Sequence, residues 1–355
     1  MRNKCIVLMI AAFFLSLSLW NAFGTKQEFS ESERRKLSKF PDVNLENILN
    51  GDFSEDFEEY MVDHFPGRDS WRTVKVYAKT KVLGQKDNNG LYEADGHISK
   101  IEYSMNTQMI DHAAVVFEKV RKKYLADNEV YLAVIPDKNR FLAKENGYLS
   151  MDYDRFSEYT KKEMPGAKYI EIADLLEVED YYRTDSHWRQ ECIIDVAERL
   201  GHAMGVEVSA EYEVKELKQP FYGVYVGQSA LRCEPDKICY LENDTIRQLS
   251  VEGADAVYDM KKANGRDPYE MFLSGNQSVI AIKNENETEG KRLIVFRDSF
   301  GSSIAPLLST GYSEVVLIDL RYISSDMLGD YVEFENADVL FLYSTMMLNQ
   351  SLAIR

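Results

Sequence analysis

Four short apolar runs constrain the fold of this 355-residue chain more than any other feature. Each run is an almost continuous block of aliphatic and aromatic residues. A strand with one solvent-exposed face would alternate apolar and polar residues. Continuous apolar runs of this length therefore predict strands that are buried on both faces of a sheet. The runs are VYLAVIP (130–136), RLIVFRD (292–298), EVVLIDL (314–320) and ADVLFLY (337–343).

Helical patterns separate these runs, and strands alternating with helices predict an α/β fold with a mostly parallel sheet flanked by helices. Residues 205–275 break the pattern, because they are rich in Tyr and Gly and contain only short β runs. We therefore predict one α/β domain over 91–355 with an irregular β-rich insertion at about 205–275. The expected helices are HAAVVFEKVRKKYLA, WRQECIIDVAERLGHAMGV and SSIAPLLSTG, with a further strand in KYIEIADLL and a hairpin in GLYEADGHISK.

The N-terminal segment MRNKCIVLMIAAFFLSLSLWNAFG predicts export or anchoring (residues 1–24). Two basic residues precede an uncharged apolar run from Cys5 to Trp20, the layout of a signal peptide or a membrane anchor. Ala22 and Gly24 suit cleavage, so both alternatives stay open. Residues 25–90 are predicted to form a polar arm followed by membrane-proximal helices that break at Pro66. We expect everything after the N-terminal segment to lie outside the cytoplasm.

Charge and cysteine usage narrow the possible partners. The formal net charge of −17 would repel a phosphate backbone, which excludes a nucleic-acid partner. Cys233 and Cys239 lie six positions apart, and a disulfide between them is left open. Since there is no CxxC spacing and no histidine cluster, we predict no metal site. No organic cofactor is implied. Four of the five histidines are interpreted as structural: His64, His97, His112 and His202.

The fifth histidine lies in YYRTDSHWRQ, where Asp185 and His187 are two positions apart. Residues two apart in an extended segment point to the same side, so the pair either bonds directly or flanks one cavity. A carboxylate beside a histidine can fix the imidazole tautomer for general-base chemistry. The alternative is structural, with Asp185 as a helix N-cap and His187 packed on Trp188.

Ser299 follows the apolar run 292–297, where a parallel strand ends and a helix begins. Active sites in such sheets lie beyond the carboxyl ends of the strands. A serine there can act as a nucleophile if a base takes its proton, and N–H groups of the helix start can face an oxyanion. The structural alternative is a helix cap made by Asp298 or Ser299.

The combination of TDSHW with VFRDSFGSSIAPLLSTGYSEVVLIDLRY resembles the DHHW protein family. That family is related to the alginate O-acetyltransferases and, more distantly, to SGNH hydrolases. Further matching segments occur in the expected order from about residue 55 to the end. These are FPGRDSW, VYLAVIPDKNRF, PFYGVYVGQSA and MFLSGNQSVIAIKN.

The resemblance implies an SGNH-hydrolase-like fold and a triad of Ser299 as nucleophile, His187 as base and Asp185 as orienting acid. One departure is Ser186, which replaces the first His of the Asp-His-His-Trp motif. The resemblance also makes Gly275 and Asn276 candidates for an oxyanion hole, and Arg297 is a supporting candidate. Substrate-binding candidates are the side chains of Trp188, Lys138 and Tyr222.

The implied reaction is acyl transfer on a cell-surface or secreted polysaccharide, as an O-acetyltransferase or an acetylesterase. A membrane-bound O-acyltransferase is the implied partner. Two alternatives stay open. One is a non-catalytic polysaccharide-binding or export accessory protein. The other is a thioester-dependent acyl-carrier step, which would need a docking surface that the sequence does not reveal.

Overall fold

The computed structural model describes residues 2–30, 32–231, 233–287 and 290–355. The chain divides into two compact units. One consists of Met1–Asn89 with Val226–Arg232, and the other of Gly90–Tyr225 with Cys233–Arg355. Since residues 226–232 belong to the first unit, that unit is discontinuous in sequence.

The N-terminal unit begins with a long apolar helix, α1. Residues Lys4–Asn21 within α1 are long and apolar enough to cross a membrane, which fits a signal or an anchor. A two-stranded ribbon and three helices follow, and the break predicted at Pro66 separates α3 from α4. A π-helical turn, Ala78–Val82, extends α4. The elements are α1 Arg2–Phe23, β1 Phe29–Ser30, β2 Arg35–Lys36, α2 Leu45–Asn50, α3 Asp52–Asp63 and α4 Arg68–Tyr77.

A network of ion pairs stabilises this unit. The Asp63 carboxylate accepts two hydrogen bonds from the Arg35 guanidinium and one from the backbone N–H of Ser38, at 2.9 Å. These bonds, led by the one from Arg35, hold the pKa of Asp63 well below its usual range. Glu33 pairs with Arg68 and with Arg72.

The larger unit begins with a hairpin and then alternates helices with strands. The first part contains β3 Leu91–Ala94, β4 His97–Lys100, α5 Thr107–Tyr124, β5 Val130–Ile135, α6 Asn139–Leu142, α7 Tyr153–Glu163, β6 Lys168–Tyr169 and α8 Ile194–Ala203. The irregular stretch contains β7 Glu213–Glu216, α9 Val224–Ser229, β8 Cys239–Glu242, α10 Asp244–Gln248, β9 Ser250–Glu252 and α11 Met260–Ala263. Residues 226–229 of α9 belong to the N-terminal unit. The last part contains β10 Val279–Lys283, β11 Arg292–Arg297, α12 Gly301–Leu308, β12 Glu314–Ile318, β13 Ala337–Ser344 and α13 Thr345–Asn349.

The central sheet has seven strands in the order β6-β5-β13-β11-β12-β10-β9. β11 pairs in parallel with both β12 and β13, and β5 pairs in parallel with β13 and β6. β10 runs antiparallel to its two neighbours and closes one side of the sheet with β9. The predicted α/β fold with a mostly parallel sheet is confirmed.

Both faces of the sheet are buried, as the continuous apolar runs predict. Leu293 and Val295 of β11 pack into one core, and Ile294 and Phe296 pack into the other. Helix α12 and helix α8 cover the first face, while α5 covers the second. The parallel pairing brings the carboxyl ends of β5, β11, β12 and β13 to one edge of the sheet.

Some elements differ from the predictions. The strand expected in KYIEIADLL is only Lys168–Tyr169. The helix expected from Trp188 begins at Ile194, because residues 188–193 form a turn that includes a short 3-10 segment. The four cysteines are not bonded to one another in this structure, so Cys233 and Cys239 form no disulfide here.

Candidate active site

A tight loop presents Asp185 and His187. An antiparallel bridge between Tyr181 and Trp188 closes the loop at its base, and the Tyr182 N–H donates to the His187 carbonyl at 3.1 Å. The loop turns too sharply to be the extended segment that the sequence suggests. The two side chains bond directly, with 2.6 Å between His187 Nδ1 and Asp185 Oδ1. The bridge therefore fixes the pair in a rigid frame.

Ser299 lies in the turn between β11 and α12, at the carboxyl edge of the sheet. Asp298 shapes this turn, since its Oδ1 accepts from the Phe300 N–H at 3.0 Å and its Oδ2 accepts from the Ser344 N–H at 2.8 Å. Gly301 is required at the start of α12, because an added Cβ would lie 2.7 Å from the Cβ of Arg297. These contacts fix the position of the Ser299 backbone.

The two elements meet through 2.8 Å between His187 Nε2 and Ser299 Oγ. With Nδ1–H donating to the Asp185 carboxylate, Nε2 is left to accept the proton of the Ser299 hydroxyl. The Asp185 side chain is 3% exposed and the His187 side chain 15% exposed, so the chain of hydrogen bonds opens to solvent at its serine end. A serine, a histidine and a carboxylate in one chain of hydrogen bonds is the arrangement that nucleophilic catalysis by serine requires.

Aromatic rings hold the imidazole in place. The Tyr269 ring stacks on His187 with 4.0 Å between centroids and 15° between planes, and Phe300 packs at 4.8 Å on a tilted plane. The Tyr269 hydroxyl donates to Ser303 Oγ at 3.1 Å and lies 3.4 Å from the Ser299 carbonyl. Burial raises the pKa of Tyr269 well above its usual value, so it stays a neutral donor.

The irregular insertion also forms hydrogen bonds with the loop that carries Asp185 and His187. The buried Asp236 carboxylate accepts from the N–H groups of Arg183 and Thr184, both at 2.8 Å, and from the Thr184 hydroxyl at 2.5 Å. The Val224 N–H donates to Asp185 Oδ2 at 2.9 Å. Residues of the insertion therefore bond both the backbone of the loop and the carboxylate that orients the histidine.

Gly223 allows this close approach. Its N–H donates to Thr184 Oγ1 at 2.8 Å, and a Cβ at this position would collide with the Asp185 side chain and the Thr184 carbonyl. Packing against this loop thus explains Gly223, the first glycine of the segment PFYGVYVGQSA.

Arg297 is buried at the end of β11, at 1% exposure. Its Nη1 lies 3.6 Å from Asp319 and 3.3 Å from the Asp298 carbonyl, while its Nε and Nη2 have no hydrogen-bond partner among the described residues. Arg321 shares the same Asp319 carboxylate. Arg297 thus lies beneath the serine turn, where its stem packs on Gly301.

Two of the predicted substrate contacts are wrong, because both side chains are buried. Trp188 is fully buried, and its indole N–H donates to Ser303 Oγ at 2.9 Å. The Lys138 ammonium donates to the carbonyls of Ile98, Tyr182 and Arg183 at 2.6, 2.8 and 3.2 Å. Burial lowers the pKa of Lys138 to about 7. Both residues fix the loop from below, and a substrate cannot reach them.

Tyr222 is the predicted substrate contact that remains accessible. Its side chain is about half exposed, and it precedes the Gly223 and Val224 contacts with the loop. Its role as a substrate contact stays a prediction.

Gly275 and Asn276 lie in the turn before β10. Leu273, Ser274 and Gly275 all adopt left-handed backbone conformations, which bends the chain sharply. Because β10 starts beside the end of β12, this turn lies at the carboxyl edge of the sheet, as Ser299 does. Asn276 is exposed, and in the described part of the chain neither Gly275 nor Asn276 forms a hydrogen bond with Ser299.

Sequence reasoning missed Asp236 and Tyr269. Asp236 is 52 positions from Thr184 in the chain, and a lone Asp in a Cys-flanked loop carries no signal of that contact. Tyr269 follows the Asp-Pro pair 267–268, which marks only a turn. No group of three or more His, Cys, Asp or Glu side chains in the described part of the chain could hold a metal ion.

No protein-family model matches the chain, and no curated protein matches it. Several solved structures are similar to the chain. A DHHW family protein from Eubacterium siraeum is 19% identical with a TM-score of 0.60, covering 76% of this chain and 95% of its own. The chain has the fold of a DHHW family protein. The resemblance predicted from the motifs is confirmed at the level of the fold.

Two further structures are similar to lesser degrees. Bacillus cereus PatB1 carrying a sulfonyl adduct is 19% identical with a TM-score of 0.59, covering 73% of this chain and 95% of its own. The O-acetyltransferase domain of Pseudomonas putida AlgJ has a TM-score of 0.44 at 13% identity, covering 73% of this chain and 92% of its own. That last likeness is too low to support an argument.

Proposed function

We propose that this protein is an extracytoplasmic serine acyl-transfer enzyme. The observation that carries the proposal is the continuous hydrogen-bond chain from Asp185 through His187 to Ser299. A serine hydroxyl is a weak nucleophile until a base removes its proton, and His187 is placed to do this. The 2.8 Å separation of Nε2 and Oγ is within direct proton-transfer reach.

In the first half-reaction, Ser299 Oγ attacks the acyl carbonyl and its proton passes to His187 Nε2. The Asp185 carboxylate stabilises the resulting imidazolium. The proton then goes to the departing alkoxide as the ester C–O bond breaks, which leaves an acyl-Ser299 ester. In the second half-reaction His187 deprotonates an acceptor hydroxyl, whose oxygen attacks the acyl carbonyl. His187 then returns the proton to Ser299 Oγ as the acyl–serine bond breaks.

The oxyanion needs N–H donors near Ser299. In the part of the chain that the structure describes, neither the Ser299 backbone N–H nor the Asn276 amide donates a hydrogen bond to a protein group. We assign both to the oxyanion hole, with Gly275 giving the turn the conformation that brings Asn276 to this edge.

The acceptor is proposed to be a hydroxyl of a cell-surface or secreted polysaccharide, and the acyl group an acetyl. The exposed ring of Tyr222 offers a face for a sugar near the site. The apolar helix α1 supports a location outside the cytoplasm. Transfer to a sugar hydroxyl requires an acyl donor, and a membrane-bound O-acyltransferase is the proposed supplier. With water as the acceptor, the same residues make an acetylesterase.

The test uses the full chain reconstituted in lipid nanodiscs. Release of p-nitrophenol from p-nitrophenyl acetate is compared between the wild type, Ser299→Ala and His187→Ala. Ser302→Ala is the matched control, since Ser302 lies one turn away on α12. A sulfonyl fluoride is then added and the intact mass measured. A sulfonyl adduct is recorded on Bacillus cereus PatB1, and here the adduct is expected on Ser299.

We expect the wild type and Ser302→Ala to release p-nitrophenol and to gain one sulfonyl group. Ser299→Ala should do neither, and His187→Ala should lose at least about a hundredfold in rate, the usual contribution of a general base. A folded wild type that shows neither activity nor sulfonylation would overturn the proposal in favour of the accessory role.

A further inference from the structure

The outer face of α4 and its π-helical extension is an exposed apolar stripe. Within this stretch the side chain of Val76 points inward and is buried. The opposite face repeats apolar residues at helical spacing, and no described residue covers them. The exposed fractions are 50% for Trp71, 58% for Val74, 64% for Tyr77, 72% for Val82 and 69% for Leu83.

Basic residues surround this stripe. Residues 68–82 contain five basic residues and one acidic residue, in a protein whose formal net charge is −17. Lys75 and Lys81 are exposed and Lys79 is half-buried. None of these three lysines forms an ion pair with a described residue, whereas Arg68 and Arg72 are engaged by Glu33. The charge next to the stripe is therefore available to an external partner.

The stripe begins beside the end of the candidate membrane span. One cavity in the N-terminal unit is lined by Trp20 and Gly24, at the end of α1, and by Gly67 and Arg68, at the start of α4. The span itself is Lys4–Asn21. If α1 crosses a bilayer, the first turn of α4 lies at the level where the chain leaves it.

A second exposed apolar set, on α2, lacks this charge pattern. Leu45, Ile48 and Leu49 are exposed there, but the neighbouring charges are Asp42, Glu46 and Asp52. Carboxylates next to an apolar face oppose contact with anionic lipids, and lysines favour it. The two helices thus form a natural pair for comparison.

We propose that the outer face of α4, from Trp71 to Val82, is an interfacial helix that lies in the surface of an anionic lipid bilayer. Its apolar side chains enter the headgroup boundary, and Lys75, Lys79 and Lys81 contact the lipid phosphates. An aromatic side chain flanked by lysines is the combination that interfacial helices use. This contact is additional to α1 and independent of the acyl-transfer reaction.

The experiment measures how deep Trp71 lies when the full chain is reconstituted. The chain has three tryptophans, so Trp20→Phe leaves Trp71 and the fully buried Trp188. Vesicles contain phosphatidylcholine with or without phosphatidylglycerol, and their acyl chains carry bromine, which quenches nearby indoles. Adding Trp71→Phe gives the background from Trp188. Leu49→Trp in that double variant places the control reporter on α2.

We expect Trp71 emission to be blue-shifted and quenched by at least about half in phosphatidylglycerol vesicles, as for a ring at the headgroup boundary. Replacing Lys75, Lys79 and Lys81 with Gln, or removing phosphatidylglycerol, should remove most of the quenching. The Trp at position 49 should stay unquenched. Unquenched Trp71 that aqueous iodide reaches would overturn the proposal. Trp71 shielded from both quenchers would also overturn it, since another protein or a second copy would then cover the face.

Discussion

Asp236 contacts the loop that carries Asp185 and His187, residues 181–188, called here the histidine loop. This contact gives the sharpest prediction about which residues position the candidate site. Asp236→Asn keeps the shape of the side chain but replaces one carboxylate oxygen with an NH₂ group. The carboxylate accepts from the N–H groups of Arg183 and Thr184 and from the Thr184 hydroxyl. An amide can accept on one oxygen only, so at least one buried donor must lose its partner.

The magnitude follows from that unpaired donor. A buried N–H without a partner costs about 1–3 kcal/mol, so the free energy of unfolding should fall by that amount. The effect on catalysis should be larger than the effect on the folded population. The donors belong to the residues directly before Asp185, and a shift of about 1 Å in a catalytic group can cost about a hundredfold in rate. We therefore expect kcat/KM to fall about 10- to 100-fold.

The assay combines p-nitrophenyl acetate hydrolysis with thermal unfolding, measured well below the Tm of the variant. Glu234→Gln is the control, because it removes a charge from the same loop at an exposed position. Thr184→Val should be non-additive with Asp236→Asn, since the two side chains share a network. An Asp236→Asn protein that is less stable but fully active would show that the contact supports the fold without positioning the triad.

Three further outcomes follow from other contacts. Gly223→Ala, whose Cβ would collide with Asp185, should lower kcat/KM about a hundredfold, and hydrolysis that stays at the wild-type rate would contradict the packing argument. Tyr269→Phe keeps the ring on His187 and should stay active while losing about 0.5–1.5 kcal/mol of stability, whereas Tyr269→Ala should lose about tenfold in rate. The pKa of Asp63 is lowered in the folded state, so its stabilisation of the N-terminal unit is present above pH about 4 and lost as pH falls further. Digestion of residues 25–89 by pepsin should rise there, and Asp63→Asn should reduce this pH dependence.

The central strands could be predicted because a strand that is buried on both faces has a continuous run of apolar residues in the sequence. β5, β11, β12 and β13 coincide with the four continuous apolar runs. β10 was not predicted, because VIAIK alternates buried with half-buried residues and lies in an antiparallel part of the sheet. β6 is shorter than expected, since only Lys168 and Tyr169 extend the ladder beyond β5.

The resemblance to the DHHW family, added to the residue types, suggested Asp185, His187 and Ser299, and the fold places them in one hydrogen-bond chain. Their catalytic roles stay predictions until the assays are made. The sequence could not show that Trp188 and Lys138 are buried, because an aromatic or a lysine beside a polar motif suits a binding surface equally well. Their burial follows from long-range packing beneath the loop. The hydrogen bonds from Arg183 and Thr184 to Asp236 also depend on long-range packing, so the sequence could not show them.

The discontinuity of the N-terminal unit has a consequence for how the chain matures. Arg72 donates to the carbonyl of Gly227, which lies 155 positions further along. A chain that emerges from its amino end cannot complete this unit until residues 226–231 have been made and delivered, and closing so long a loop is slow. The same short segment follows directly after Val224 and Tyr225, which bond the histidine loop. The first part of the protein to be synthesised is therefore among the last to finish folding.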